Sequence, residues 1–98
     1  MSKSERLELS FSRALSDLIP TLKDPRIPLV VTVERVHLSK DGKTAKVLVS
    51  TLEPQDEEDM LAALNRSAGY LQRQISEYLQ TRFTPKLSFH TDIFEVLS

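Results

Sequence analysis

A glycine interrupts a strong amphipathic helix pattern in the second half of the chain. Gly69 is one of only two glycines in 98 residues, and inside a helix glycine costs about 1 kcal/mol relative to alanine. The apolar positions keep the spacing of one helical face on both sides of it: Leu61, Leu64 and Ala68 come before, and Leu71, Ile75 and Leu79 come after. We therefore predict two helices that meet at a kink or a tight turn. The alternative is that Gly69 only lets a neighbouring strand or helix pack closely.

Length and composition indicate one small domain, spanning residues 1–98. The 40% of hydrophobic residues can form a core, and the 28% of charged residues suit an aqueous surface. The absence of cysteine excludes disulfides, thiolate metal ligands and a cysteine nucleophile. No apolar run approaches the roughly 20 residues that a membrane span needs, and the first residues lack the apolar core of a signal peptide. We predict a cytoplasmic protein with no membrane partner.

The charges are nearly balanced in number but unevenly distributed. The formal net charge of −1 argues against a strongly basic protein. Residues 53–59 hold five acids and no base, and the rest of the chain carries a net charge of +4. Pro54 suits the first turn of a helix and acids suit its positive end, so helix formation alone explains the acidic run. The acids are Glu53, Asp56, Glu57, Glu58 and Asp59.

The chain starts with a predicted helix and a predicted strand. Apolar residues with helical spacing run through residues 4–19, and Pro20 ends or kinks that helix. After a loop, residues 29–38 form a β-branched run. Its alternation slips near Glu34 and Arg35, which predicts a bulge or a change of exposed face.

A hairpin is predicted next. Asp41-Gly42 between two β-branched runs is a strong hairpin signal. The second strand spans residues 45–51, and its apolar residues alternate onto both faces, which favours the centre of the sheet. Gly42-Lys43-Thr44 is similar to the end of a phosphate-binding loop, but the upstream glycine is absent and no helix follows. We therefore predict no nucleotide site there.

The second half of the chain predicts two helices and a third strand. The helical pattern runs from Pro54 to about residue 66, resumes to about residue 82, and is stopped by Pro85; residues 87–91 then alternate as a strand. A helical connection between the second and third strands favours a parallel, right-handed arrangement. The predicted fold is α+β, a KH-like type II domain. Its order is helix-strand-strand-helix-kink-helix-strand, with a three-stranded mixed sheet and the helices on one face.

No set of residues has the spacing of a catalytic or metal site. His90 and Asp92 could share a face of the third strand, but a metal would need a third ligand, and His37 is the only other histidine. No combination of serine, histidine and acid has signature spacing. We predict no enzymatic activity, no metal and no cofactor, and a structural or surface role for His90 and Asp92.

Basic side chains near the predicted bend are the best candidates for phosphate contacts. A bend of small residues can bring backbone N–H groups close to a phosphate. Arg66 and Arg73 flank this bend at about two helical turns. Further basic residues lie at the hairpin and after the helices: Lys40, Lys43, Arg82 and Lys86. Each of them alone is more simply explained as a solvated charge.

Five motifs follow one another along nearly the whole chain. They are Lys23-Asp24-Pro25-Arg26-Ile27; Val31-Thr32-Val33 with Val36-His37-Leu38-Ser39-Lys40-Asp41; Ala45-Lys46-Val47-Leu48-Val49-Ser50; Leu64-Asn65-Arg66-Ser67-Ala68-Gly69-Tyr70-Leu71; and Pro85-Lys86-Leu87-Ser88-Phe89 followed by Asp92. In this order they resemble the ribosome-binding factor A family of small bacterial ribosome-assembly proteins. The chain departs from the family at Ser67, where the kink usually has alanine, and at Gln72, where arginine is usual. It also has Pro20 where the family helix usually continues, and lacks a long charged tail.

The resemblance implies a KH-like fold without the usual GXXG loop, and a monomer that is not an enzyme. It implies binding to the 30S ribosomal subunit or its precursor, maturation of 16S rRNA, late small-subunit assembly and growth in the cold. The RNA contacts that we expect are Lys40, Lys43, Asn65, Arg66, Ser67, Ala68, Gly69, Arg73, Arg82 and Lys86. The alternative hypothesis is a protein-interaction module that uses the acidic segment 53–59.

Overall fold

The order of elements is the predicted one, with a short helix added at the C-terminus. The computed structural model describes residues 2–80 and 84–98. None of the helices in these ranges combines the length and the hydropathy of a membrane-spanning helix. The helices are α1 (Lys3–Leu18), α2 (Glu57–Arg66), α3 (Ala68–Leu79) and α4 (Ile93–Leu97), and the strands are β1 (Thr32–Leu38), β2 (Thr44–Ser50) and β3 (Lys86–His90).

The sheet has the order β1-β2-β3. β2 lies in the centre, antiparallel to β1 and parallel to β3, which confirms the prediction from its two apolar faces and from the helical connection. β1 begins at Thr32, which pairs with Ser50 at the end of β2, and not at Leu29 as predicted. Residues 29–31 pair with no strand in the part of the chain that the structure describes, so a β-branched sequence alone does not make them a strand.

Both predicted irregularities of the hairpin are present. The pairing of β1 with β2 shifts between Val33 and Arg35, which leaves Glu34 as the extra residue of a bulge. At the turn, Gly42 has a φ of 71°, a left-handed conformation that glycine adopts without steric cost. Asp41 stabilises the turn because its carboxylate accepts hydrogen bonds from the Ser39 hydroxyl (2.6 Å) and the Lys43 N–H (3.0 Å).

The core lies between one face of the sheet and the three long helices, as predicted. α1 packs on β1 and α3, and both α2 and α3 pack on β3. Burying one large apolar side chain stabilises a fold by about 1.5–3 kcal/mol, so these contacts hold the helices in place. The buried side chains include Ala45, Val47 and Val49 of β2, Leu87 and Phe89 of β3, and Phe11, Leu15, Met60, Leu64, Leu71 and Ile75 of the helices.

The short helix α4, which the sequence did not predict, lies on the opposite face of the sheet. Lys46 lies between two core residues of β2, so its side chain points to the opposite face of the sheet. Its ammonium group donates hydrogen bonds to the carbonyls of Glu95 (3.0 Å) and Ser98 (3.1 Å). Val96 is buried, and Asp92 accepts a hydrogen bond from the Phe94 N–H at the start of the helix (2.9 Å). Five residues are too few for a helical periodicity to be recognised in the sequence.

α3 ends earlier than the pattern predicts. Its last residue is Leu79, and Gln80 follows in a left-handed conformation with a φ of 53°. A left-handed residue directly after a helix is a common way to end it. The predicted end at about residue 82 lies outside the described residues.

Asp24 organises the loop between α1 and β1. α1 ends at Leu18, and a 3-10 turn containing Pro20 follows. The Asp24 carboxylate accepts hydrogen bonds from the backbone N–H (3.0 Å), the Nε–H (3.2 Å) and the Nη2–H (2.9 Å) of Arg26. The side-chain hydrogen bonds of Arg26, and then its backbone N–H, lower the pKa of Asp24 from 3.8 to about 2.

The stability of this loop should depend on pH in acid. Because the pKa of Asp24 is lower in the folded protein, its contribution is complete above about pH 4 and is lost as the pH falls towards 2. We expect Asp24→Asn to lower the free energy of unfolding at pH 5, and the difference from the wild type to shrink at pH 2. Urea unfolding across this range measures both quantities. Glu77→Gln, a change of an exposed carboxyl on α3, is the control, and a difference that stays constant with pH contradicts the prediction.

Candidate nucleic-acid interface

The two crossover helices are separated by a single residue, Ser67. Its φ of −86° and ψ of 0° depart from the ψ of about −42° of a regular helix. Its N–H donates to the carbonyls of Ala63 and Leu64 (both 3.1 Å), and its own carbonyl accepts from the Leu71 N–H (2.9 Å). The predicted break between two helices is therefore present, and it lies two residues before the glycine. We call residues 65–69 the elbow.

Gly69 has an ordinary helical backbone in the first turn of α3. A Cβ atom built on it would meet nothing within 4 Å in the described structure, and the residue is exposed. The fold therefore needs glycine here neither for a left-handed φ nor for close packing against another element, and the alternative interpretation of Gly69 was wrong. What the glycine provides is open space beside the start of a helix.

The Asn65 side chain holds the elbow against the sheet. Its Oδ1 accepts a hydrogen bond from the Phe89 N–H (2.9 Å), and its Nδ2 donates to the Phe89 carbonyl (3.3 Å). Two residues earlier in β3, the Leu87 N–H donates to Gln72 Oε1 (3.5 Å). The backbone N–H of Lys86 donates a hydrogen bond to the Lys43 carbonyl, on the side of β2. Because the backbone groups of successive strand residues alternate in direction, those of Leu87 and Phe89 point to the free edge of the sheet. The two amide side chains therefore close an edge that would otherwise be open to another strand.

The basic candidates form two groups, one on the crossover helices and one around the hairpin. Arg66 belongs to the elbow, which contacts Phe89 near the end of β3, and Arg73 follows Gln72, which bonds to Leu87 near the start of the strand. Lys86 lies at the start of the strand, beside the hairpin residue Lys43, and Lys40 lies in the same hairpin. Four residue steps of β3 span about 13 Å. Arg82 lies outside the described residues.

The side chains of these two groups face solvent. Lys40, Lys43, Arg66, Arg73 and Lys86 are all exposed. Within residues 2–80 and 84–98, none of them has a carboxylate within the 4.0 Å of a salt bridge. The charge of Arg66 contributes to the lowered pKa of Asp24, and Arg66 also complements the negative end of α2. These cations can therefore bind an external anion without first breaking an ion pair.

His90 and Asp92 have structural partners, as the sequence indicated. The His90 ring contacts the Ser88 hydroxyl through Nε2 (2.9 Å) and Glu95 through Nδ1 (3.4 Å). Asp92 caps α4. The part of the chain that the structure describes contains no group of three or more potential metal ligands.

The fold is that of a KH-like type II domain, and comparison with known proteins assigns its family. The family model of ribosome-binding factor A matches residues 3–95. The ribosome-binding factor A of Acetivibrio thermocellus is 35% identical over 94 residues, which are 94% of this chain and 76% of that protein. The chain belongs to the ribosome-binding factor A family.

A crystal structure and a fitted homology model of the same family share the fold. The crystal structure of ribosome-binding factor A from Thermus thermophilus is 36% identical with a TM-score of 0.80, over 91% of this chain and 96% of that one. A homology model of the Thermus thermophilus factor, fitted into a cryo-EM map of a 30S complex, is 38% identical with a TM-score of 0.74, over 86% of this chain and 89% of that one.

The role of Asn65 can be separated from that of its neighbour by mutation. Asn65→Ala leaves the partly buried backbone groups of Phe89 without their partners, so we expect a loss of about 1–3 kcal/mol in the free energy of unfolding. Arg66→Ala removes an exposed side chain and should change this free energy by at most about 0.5 kcal/mol. Chemical denaturation of both variants measures the contrast, and equal effects would contradict the role assigned to Asn65.

Proposed function

We propose that this protein binds the 30S ribosomal subunit or its precursor and assists maturation of 16S rRNA late in small-subunit assembly. The observation that supports this most is the elbow, where a Cβ atom on the exposed Gly69 would meet nothing within 4 Å, and where the exposed Arg66 and Arg73 flank the bend in the sequence. A homology model of a relative, 38% identical to this chain, has been fitted into a cryo-EM map of a 30S complex. The proposal places the protein in the cytoplasm, as a monomer that holds RNA and carries out no chemical reaction.

The elbow supplies two kinds of phosphate contact. Because α3 begins anew at Ala68, the N–H groups of its first turn have no carbonyl partner inside that helix, and they lie at the positive end of its dipole. The absence of a side chain at Gly69 lets an RNA backbone approach them. Arg66 before the bend and Arg73 after it add full positive charges. Such contacts position a protein on RNA without reading its sequence.

The hairpin group extends the interface. Lys40, Lys43 and Lys86 lie about one strand length from the elbow, so a single RNA helix or two neighbouring RNA strands could meet both groups. In this interpretation Ser67 and Ala68 contribute backbone atoms, and Asn65 acts by holding the elbow in position. A factor that binds one arrangement of RNA more tightly than another shifts the equilibrium by that difference in affinity. This mechanism accounts for help in late RNA folding, including in the cold, where competing RNA pairings are slow to rearrange.

Binding to purified small subunits at increasing salt tests the proposal. Each phosphate contact releases counterions, so affinity should fall with salt, and each lost contact should reduce the logarithmic slope by about 0.7–0.9. We expect Arg73→Glu and Arg66→Glu to weaken co-sedimentation and to flatten this slope. Arg13→Glu makes the same charge change on α1 and should have a smaller effect. Failure to bind subunits at any salt would overturn the proposal, and equal recovery at low and high salt would exclude contacts led by charge.

Gly69→Leu tests whether the open space is used for binding. Apart from its chain neighbours and the backbone of its own helix, a Cβ atom at this position meets no described atom within 4 Å, and glycine is roughly 0.8–1 kcal/mol less favourable in a helix than alanine, to which leucine is close. We therefore expect unchanged or slightly raised folding stability together with weaker subunit binding, by about tenfold or more. Ala62→Leu adds similar bulk at an exposed position of α2 and is the matched control. Wild-type affinity in Gly69→Leu would show that RNA does not approach the elbow there.

A further inference from the structure

One end of the sheet presents apolar side chains to solvent. Leu29 is fully exposed, with a relative accessibility of 105%, and Leu52 is 73% exposed. The two segments are neighbours, because the Thr51 hydroxyl donates a hydrogen bond to the Val30 carbonyl (2.7 Å) and Val30 is itself 44% exposed. We call Leu29, Val30 and Leu52 the apolar end. Adjacent exposed apolar residues of this size are typical of interaction sites.

A small pocket lies beside the apolar end. Its volume is about 200 Å³, and Ile19, Leu22, Ile27 and Leu29 contribute to its walls. Sites for small organic ligands usually measure about 300–1,000 Å³, so this pocket is too small for most of them. A pocket of this size next to an exposed leucine suits a single apolar side chain that anchors another protein.

The acidic segment borders the same surface. It begins at Glu53, directly after Leu52, and continues into the first turn of α2. The hydrogen-bonded Asp24 is the main cause of the raised pKa of Arg26, and the charge of Asp59 contributes to it, which places α2 beside the loop that leads to Leu29. Across residues 2–80 and 84–98, no cation lies within salt-bridge distance of any of the five acids of residues 53–59. The rim of the apolar end is therefore negatively charged.

We propose that the apolar end and its acidic rim bind a basic segment of another protein that carries apolar anchor residues. The charges exclude the other macromolecular occupants. RNA phosphates would be repelled by the five carboxylates, and a second copy of this chain in a twofold interface would bring two acidic segments together. α2 is about 15 Å long, and it separates the acidic rim at Glu57 from Arg66 of the elbow. The protein segment and the RNA therefore bind different ends of α2, and this inference does not depend on RNA binding.

Two designed peptides test the proposal on the isolated 98-residue chain. One carries two leucines flanked by lysines, and the other has glutamates in place of the lysines. We expect the lysine peptide to shift the backbone amide NMR signals of residues 28–31 and 51–60, and its affinity to fall with salt. The glutamate peptide should bind about tenfold more weakly or not at all.

Matched variants identify the surface. Leu29→Ser and Leu52→Ser change exposed side chains, so the fold should persist, and each should weaken binding of the lysine peptide by about tenfold. Glu53→Lys with Glu58→Lys should do the same and reverse the preference between the peptides. Phe94→Ser alters an apolar side chain on α4 that is 79% exposed and should leave binding unchanged.

Three results would overturn the proposal. The first is equal binding of both peptides, because it would show that the acidic rim does not select the partner. The second is an absence of signal shifts at residues 28–31 and 51–60 under saturating lysine peptide. The third is a dimer in sedimentation velocity that Leu29→Ser abolishes, because the surface would then bind a second copy of this chain.

Discussion

The parallel pairing of β2 with β3 is the constraint on which the rest of the structure depends. A parallel pair needs a crossover that returns the chain to the starting end of the sheet. Residues 57–79 as one straight helix would measure about 35 Å, which is nearly the 36 Å of the longest dimension of the molecule and far more than the five residues of β3. The crossover must therefore break if both halves are to bury their apolar faces on the same short sheet, and it breaks at Ser67.

The break also sets the chemistry of the elbow. Asn65 and Gln72, one on each side of it, form hydrogen bonds with the backbone of β3, so the bend is held in place by the edge that it covers. This arrangement leaves Gly69 with no close packing against another element among the described residues. Gln72 lies at the position where family members usually have arginine, and in this protein its side chain bonds to the sheet. Arg73 beside it remains exposed.

The charge distribution divides the surface by partner. A net charge of −1 would suggest that the protein binds RNA poorly, but the tertiary structure separates the positive from the negative side chains. The cations at the elbow and the hairpin are free of ion pairs within the described chain, whereas the acids gather at the start of α2 beside Leu29 and Leu52. Local electrostatics can therefore favour phosphate at one site and a basic protein at another, because screening limits each field to roughly 10 Å.

The sequence by itself determined the order of the three long helices and three strands, the bulge near Glu34, the Asp41-Gly42 turn, the central place of β2 and the family, because these follow from local periodicity, turn chemistry and motif order. It did not determine where β1 begins, since Leu29 has strand chemistry but no partner strand, nor α4, which is too short to show a period. The site was predicted only as a set of residues. Tertiary structure decided that the bend lies at Ser67, that Asn65 bonds to Phe89, and that the lysines stand a strand length away from the elbow. Those facts depend on which groups meet across the sheet, and contacts between residues distant in the chain leave no local signal in a single sequence.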